Sequence, residues 1–311
     1  MIFKFDVSII DNANAHILAS YLKLILEKRH KIDYDDPTVW EFIEKQALTT
    51  KYLGSDDIAL IKENQELRDI RNVEKEYYRT IVIGSKPGMC QLATLGIILQ
   101  NNSCVVLENS HYEWLPIRMW IDFVKNDRDY KDVNRKVLEA IAYNRIYPEH
   151  AGGSAGTIRN KIEDITLSTY SDAAQFKVTT IFDSDKVDEH THNSKNDNLK
   201  EFLVNNGFDY HEWLKREIEN YIPLSVYKST GFCNTHVTEP DQTPSVWSYT
   251  DIENHPYFKG KYKKKHLPKI AKGIDKKSVK EAFAEKPYTN RVDNHPISEL
   301  QHLIFLLAKY I

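Results

Sequence analysis

The chain reads as an α/β protein with a mostly parallel sheet flanked by helices. Two observations predict this. From residue 101 onward, short apolar runs alternate with helix-patterned stretches, which is the signature of strands joined by crossover helices. Two of the apolar runs, "SCVVLE" and "VTTIFDSD", also end in acids. In open parallel sheets the carboxyl ends of strands face the ligand site. The alternation divides the chain into a mainly helical region (1–100), an α/β segment (101–225) and an α+β, lysine-rich extension (226–311).

Each element has a local reason. "NAHILASYLKLILEK" carries apolar residues at helical spacing, and "DDPTVWEFIEKQA" opens with an Asp cap and a Pro in the first turn. "SDDIALIKENQEL" starts on another capping Ser. "RTIVIG" (79–84) reads as a short strand and "GMCQLATLGIILQ" as a buried helix. Then come the strand "SCVVLE" (103–108), helical "YEWLPIRMWIDFV", and "VNRKVLEAIAYNRI", a helix or a helix plus strand. The glycine loop "HAGGSAGTI" leads into helical "TIRNKIEDI" and the strand "FKVTTIFDSD". "NDNLKEFLVNNG" is a helix ending in a Gly stop. "FDYHEWLKREIENYIP" reads as a strand running into a helix, and "ISELQHLIFLLAKYI" as an amphipathic terminal helix.

Composition narrows the class. With 41% hydrophobic residues and only 11 Gly and 11 Pro in 311, the chain suits a packed protein rather than a disordered one. Three scattered cysteines without CxxC spacing argue against a disulfide framework or zinc ribbon and point to a reducing cytoplasm. "MIFKFDVSIID" has neither a basic leader nor a cleavable apolar core, and "MCQLATLGIIL" and "LIFLLAKYI" are too short to span a bilayer. The expectation is a soluble, cytoplasmic chain with no membrane contact. A net charge of −3 disfavours nucleic acid on average, yet residues 259–280 hold ten lysines and one acid. Such a stretch can neutralise phosphates, although a solvated lysine-rich loop accounts for it equally well.

The acids carry the chemistry. Glu108 ends one strand, and Asp183 with Asp185 end another. Neighbouring parallel strands would bring the three carboxylates together, and they would repel one another without a cation between them. Oxygen-only ligands favour Mg²⁺ or Mn²⁺ over zinc.

Taken in order, "VVLENSHYEW", "HAGGSAGTI", "TTIFDSDK" and "LKREIENYIP" resemble the motif series of a TOPRIM domain, the topoisomerase–primase module, in the version seen in OLD-type (overcoming-lysogenization-defect) nucleases. The resemblance covers about residues 101–225. It implies a metal-dependent endonuclease in which Glu108 is a ligand and general base, Asp183 and Asp185 hold the metal, and Glu219 contributes to a second metal site. Gly152 and Gly153 fall in the loop that lets backbone approach the acids. The sequence departs from the family after Glu108, where Asn109 replaces Gly and Tyr112 stands at the second acidic position. Either Glu113 substitutes through a shifted helix start or that acid is absent. The resemblance further implies phosphodiester cleavage in DNA or RNA (tRNA included). It also implies an effector role in a two-component anti-phage system with a separate sensor ATPase, since no G-x-x-x-x-G-K-[ST] occurs here.

Lys186, Lys215, Arg216 and the lysines 261, 263, 264 and 265 (Lys261, Lys263, Lys264, Lys265) are the candidate phosphate contacts. His111 and His150 lie close to the motifs in sequence, and His190 with His192 form an H-x-H pair on a polar loop. Dimerisation or docking through the N-terminal region or the last helix stays open. So do three other readings: a catalytically silent binding or regulatory subunit, a haloacid-dehalogenase-like phosphatase with Asp183 as nucleophile, and a DxD glycosyltransferase.

Overall fold

A computed structural model describes residues 1–10, 15–34, 36–50, 53–70, 77–191, 193–290 and 294–311. The chain begins with strand β1 (Ile2–Phe5), helix α1 (Ala15–Glu27), strand β2 (Lys31–Tyr34), helices α2 (Pro37–Thr50) and α3 (Ser55–Ile70), strand β3 (Thr80–Ile83) and helix α4 (Leu92–Gln100). The three strands form a parallel sheet in the order β2-β1-β3. Phe3, Phe5 and Ile83 pack there against Leu18, Leu22, Ile25 and Leu95. The first 100 residues are therefore built on a sheet of which the sequence pattern shows only β3. β3 (TIVI) carries a run of three β-branched apolar residues, whereas β1 (IFKF) and β2 (KIDY) are broken by Lys4 and Asp33 and do not stand out from the patterns around them.

The second unit holds strand β4 (Ser103–Leu107), helices α5 (Ser110–Val124) and α6 (Lys131–Ala142), strand β5 (Ile146–His150), helices α7 (Ala155–Ile165) and α8 (Ala174–Lys177), strand β6 (Val178–Phe182), helix α9 (Ser194–Asn205) and strand β7 (Tyr210–Glu212). Its four strands are all parallel, in the order β5-β4-β6-β7. The fold is α/β, as the alternation predicts. Every residue of β4 and β6 is buried, as central parallel strands with helices on both faces should be. Val105, Leu107 and Ile181 face Trp120, Ile121 and Val137, while Cys104, Val106 and Phe182 face Ile158, Ile162 and Leu203.

This strand order fixes where a site can form. The chain leaves β4 toward β5 on one side and leaves β6 toward β7 on the other. The neighbouring ends of β4 and β6 therefore flank a topological switch point, the crevice that ligands use in such sheets.

The helix expected after β7 is absent. Residues 213–217 are irregular and Ile218–Tyr221 make one 3-10 turn. The cause is local: the Arg216 amide donates to the Ser248 carbonyl (2.8 Å) and the Ile218 amide to the Asp183 carboxylate (3.0 Å), so neither can serve a helix. Beyond lie helices α10 (Leu224–Thr230), α11 (Pro244–Trp247), α12 (Leu267–Ala271) and α13 (Lys276–Ala282), strands β8 (Tyr288–Thr289) and β9 (Pro296–Ile297), and helix α14 (Glu299–Ala308). Phe258, Leu267, Ile270, Phe283 and Leu303 share one continuous core with Trp120 and Trp213. The extension is thus packed onto the α5–α6 face of the sheet. Cys90, Cys104 and Cys233 are free and buried. Among the described residues no helix is long and apolar enough to cross a membrane.

One buried charge makes the fold sensitive to pH. Lys177, at the end of α8, is 3% exposed, and burial together with the charge on Lys28 pushes its pKa down to about 7. An unfolded chain keeps that proton up to the ordinary lysine range. The penalty is therefore complete below about pH 7 and is relieved as the pH rises from there. Lys177→Met is expected to raise the Tm at pH 7 by about 2 °C or more and to flatten the rise of stability above neutrality, measured by thermal unfolding across pH 6–9.

Candidate active site

The ends of β4 and β6 place the first acids. Leu107 pairs with Ile181, so one step further Glu108 meets the start of the β6 loop. There the Asp183 amide donates to Glu108 Oε1 (3.3 Å). Across the β4 end, the Gly152 amide donates to the Glu108 carbonyl (3.2 Å). Gly152 and Gly153 sit at φ +102° and +93°, a left-handed conformation in which a side chain would be strained. Ser154 then starts α7 through a reciprocal cap with Thr157.

Asp183 is 4% exposed and held on both sides. Its Oδ1 accepts from the Ile218 amide, and its Oδ2 accepts from Lys264 Nζ at 2.7 Å. The loop behind it is pinned by a residue that sequence reading missed. Asn196, buried at the start of α9, donates to the Asp183 and Ser184 carbonyls (2.9 and 3.2 Å). No motif marks Asn196, because its role depends on where α9 lands on the loop. Asp185 follows at φ +54°, its amide bonded to the Arg216 carbonyl (3.0 Å). Asp tolerates this conformation better than bulkier residues, and strained backbone of this kind gathers at functional sites. Asp185 is exposed over much of its surface; partial enclosure of its carboxyl, then the charge on Asp183, raise its pKa.

Glu113 reaches the cluster from the first turn of α5. Asn109 is the N-cap of α5, and its amide donates to Glu113 Oε2 (3.2 Å), one turn into the helix. That turn carries Glu113 inside, 4% exposed, with Oε1 2.9 Å from Lys264 Nζ. The charges are in contact although the alignment falls short of a hydrogen bond. Tyr112 does not take that place.

The segment after β7 adds two more acids. Glu219, 2% exposed, accepts from Tyr262 Oη at Oε1 (2.9 Å), while its buried Oε2 has no partner. Glu217 had gone unnoticed in the sequence and flanks the Ile218 amide that binds Asp183. Burial first, and the crowding of negative charge second, push Glu108 and Glu217 up to about 9. Burial likewise lifts Glu219 to about 7 and raises Glu113. Lys264 responds in the opposite sense. Its neighbours Asp183, Glu219, Glu113 and Glu108 outweigh burial and hold it well above the ordinary lysine value.

Oxygen donors in this number suit a hard divalent cation, and the orphaned Glu219 Oε2 is an acceptor waiting for a positive partner. Among the described residues, however, no three of these side chains stand ready around a metal position. Lys264 occupies the gap between Asp183 and Glu113 instead.

The other predicted contacts separate into groups. Lys261, Lys263 and Lys265 are exposed, whereas Lys264 turns into the cluster. Lys215 is directed inward, bonded to the Asn220 carbonyl (3.3 Å) and over the Tyr221 ring. Lys186 is half-buried beside the cluster, and Arg216 pairs with Asp251 (3.2 Å) and Glu217 (3.4 Å). His111 and His150 are exposed, with ring centroids 5.0 Å apart at the ends of β4 and β5. His190 lies on an exposed turn, and His192 falls outside the described residues.

The Tyr262–Glu219 bond gives a direct test of this architecture. Tyr262→Phe leaves a second carboxylate oxygen of Glu219 without a donor and should cost about 1–3 kcal/mol in denaturant unfolding. A cost near zero would mean that Glu219 is not buried as described. Comparison with models of protein families, with curated proteins and with solved structures gives no match for this chain.

Proposed function

We propose that this crevice is the centre of a metal-dependent nuclease that hydrolyses phosphodiester bonds in DNA or RNA. One observation carries the reading. Glu108, Glu113, Asp183, Asp185, Glu217 and Glu219 gather at a single switch point, and the same lysine-rich segment that could bind phosphates supplies Lys264 to it. The TOPRIM-like order of motifs supports it as well. By that resemblance the chain would be the effector of a two-component defence system with a separate ATPase.

In this reading Glu108, Asp183 and Asp185 would hold Mg²⁺ or Mn²⁺, with Glu219 beside them. Held there, such an ion would supply water activation and charge neutralisation at the scissile phosphate. The chain does the rest. Asn196 and the Ile218 amide fix Asp183 before substrate arrives, which avoids reorganisation during reaction. Lys264 offers positive charge at the acids, and exposed Lys261, Lys263 and Lys265 can track the phosphate backbone.

The test is cleavage of plasmid DNA, single-stranded DNA and total RNA by the full chain with Mg²⁺, Mn²⁺ or a chelator. Glu108→Gln and Asp183→Asn are each expected to lower cleavage at least about 100-fold with the fold retained by circular dichroism. Unchanged cleavage by both variants would end the nuclease reading. Turnover of a phosphate monoester that Asp183→Asn abolishes would favour the phosphatase.

Binding through these lysines should show as salt dependence. Changing Lys261, Lys263 and Lys265 together to Ser is expected to weaken nucleic-acid binding and to reduce the slope of log K against log[salt] by roughly one for each phosphate no longer neutralised. Fluorescence anisotropy at salt concentrations from about 50 to 200 mM measures it.

A further inference from the structure

Arg216 joins the acidic centre to a neighbouring cleft. Its carbonyl accepts from the Asp185 amide (3.0 Å), and its amide donates to the Ser248 carbonyl (2.8 Å). Its guanidinium donates to the Lys186 carbonyl (3.3 Å) and to the Asp251 carboxylate (3.2 Å). One residue thus fastens the loop of Asp183 and Asp185 to the segment 248–251. A cleft of about 420 Å³ opens there, lined by Val187 of that loop and by Asp241, Val246, Tyr249, Asp251 and Asn254. Sites for small ligands span about 300–1,000 Å³. Val187 and Val246 are 60% and 44% exposed, so two large apolar side chains meet water at this one place. Tyr249 is half-buried. Among the described residues its ring stacks on no other and its hydroxyl has no hydrogen-bond partner.

The lining suits one kind of occupant. It holds no lysine or arginine, and Arg216 beside it is engaged by Asp251 and Glu217, so nothing there draws in a phosphate. Apolar walls, an aromatic ring and carboxylate acceptors instead match a nucleobase, which offers a flat π-face and N–H donors on its edge. Val187 follows Asp185 by two residues, at most about 7 Å of chain. A base in the cleft therefore belongs to a nucleotide close to any phosphate held at the acids. We propose that the cleft receives one unpaired base of the nucleic-acid strand, and that the centre accordingly acts on single strands or on bases turned out of a helix. The inference rests on the nucleic-acid part of the proposed function and names its substrate class. A base inside a duplex is stacked and paired, and it cannot enter a side cleft without being extruded.

The experiment reads binding with cleavage suppressed. The full chain in chelator is titrated into labelled single-stranded DNA, single-stranded RNA and the DNA duplex of the same sequence, and anisotropy is followed. The wild type is expected to bind at least one of the single strands about tenfold or more tighter than the duplex. Tyr249→Ala is expected to weaken that binding about tenfold, the scale of one lost base stack, and to leave duplex binding unchanged. Tyr249→Trp keeps an aromatic face and should keep the affinity, while Val246→Asp should lose it. Equal binding of single strands and duplex by the wild type would overturn the inference, even if Tyr249→Ala does not fold. So would unchanged single-strand binding by a folded Tyr249→Ala variant, or no binding at all. A wild type that prefers single strands through Tyr249 but cuts nothing when metal is added would sink the nuclease reading and leave this inference standing. Cleavage that needs Glu108 and Asp183 but is indifferent to pairing and to Tyr249 would do the reverse.

Discussion

Six carboxylates on three strand ends and their loops repel one another, and the contact that makes their gathering tolerable is the Lys264 ammonium between Asp183 and Glu113. Breaking a buried pair by removing one partner leaves an uncompensated charge and is among the costliest changes a fold can suffer. Much of the rest of the molecule can be understood as holding that contact. Buried residues of α12 anchor the segment that carries Lys264, the first turn of α5 carries Glu113 inward, and Asn196 fixes the loop that presents Asp183.

The carboxyls not paired with the lysine are held in a different state. Glu108 and Glu217 lie in surroundings that favour their neutral form near neutral pH, chiefly through burial. A centre of this kind carries latent negative charge that a cation can draw out, because binding and deprotonation favour each other. Asp183 has an amide and an ammonium as hydrogen-bond partners.

The legible part of the fold was the part with long, strongly patterned elements. Strands β4 and β6 stand out because all their residues are apolar or small, and their terminal acids marked the site. Strands β1 and β2 were hidden by the charged residues Lys4 and Asp33 that interrupt their apolar runs, and the segment after β7 resembled a helix because its apolar spacing is helical while its amides bond elsewhere. At the site, Glu108, Asp183, Asp185 and Glu219 could be named from strand ends and motif order. Lys264 was named only as a phosphate contact: a lysine in a run of lysines suggests phosphate, and nothing local says that one of them turns inward to Asp183 and Glu113. Glu217 and Asn196 depend on tertiary placement alone.

The in–out alternation over 261–265 has a consequence for how this stretch can vary. A cation or polar group at the outward positions leaves the inner pair undisturbed, since those side chains face solvent. Length is not free. Lys264–His266 form a 3-10 turn that runs straight into α12, so losing or gaining one residue between Tyr262 and Leu267 changes where Lys264 points. The ammonium would then leave the acids, while the core on either side stayed fixed. Spacing is therefore as constrained here as the identities of Tyr262 and Lys264.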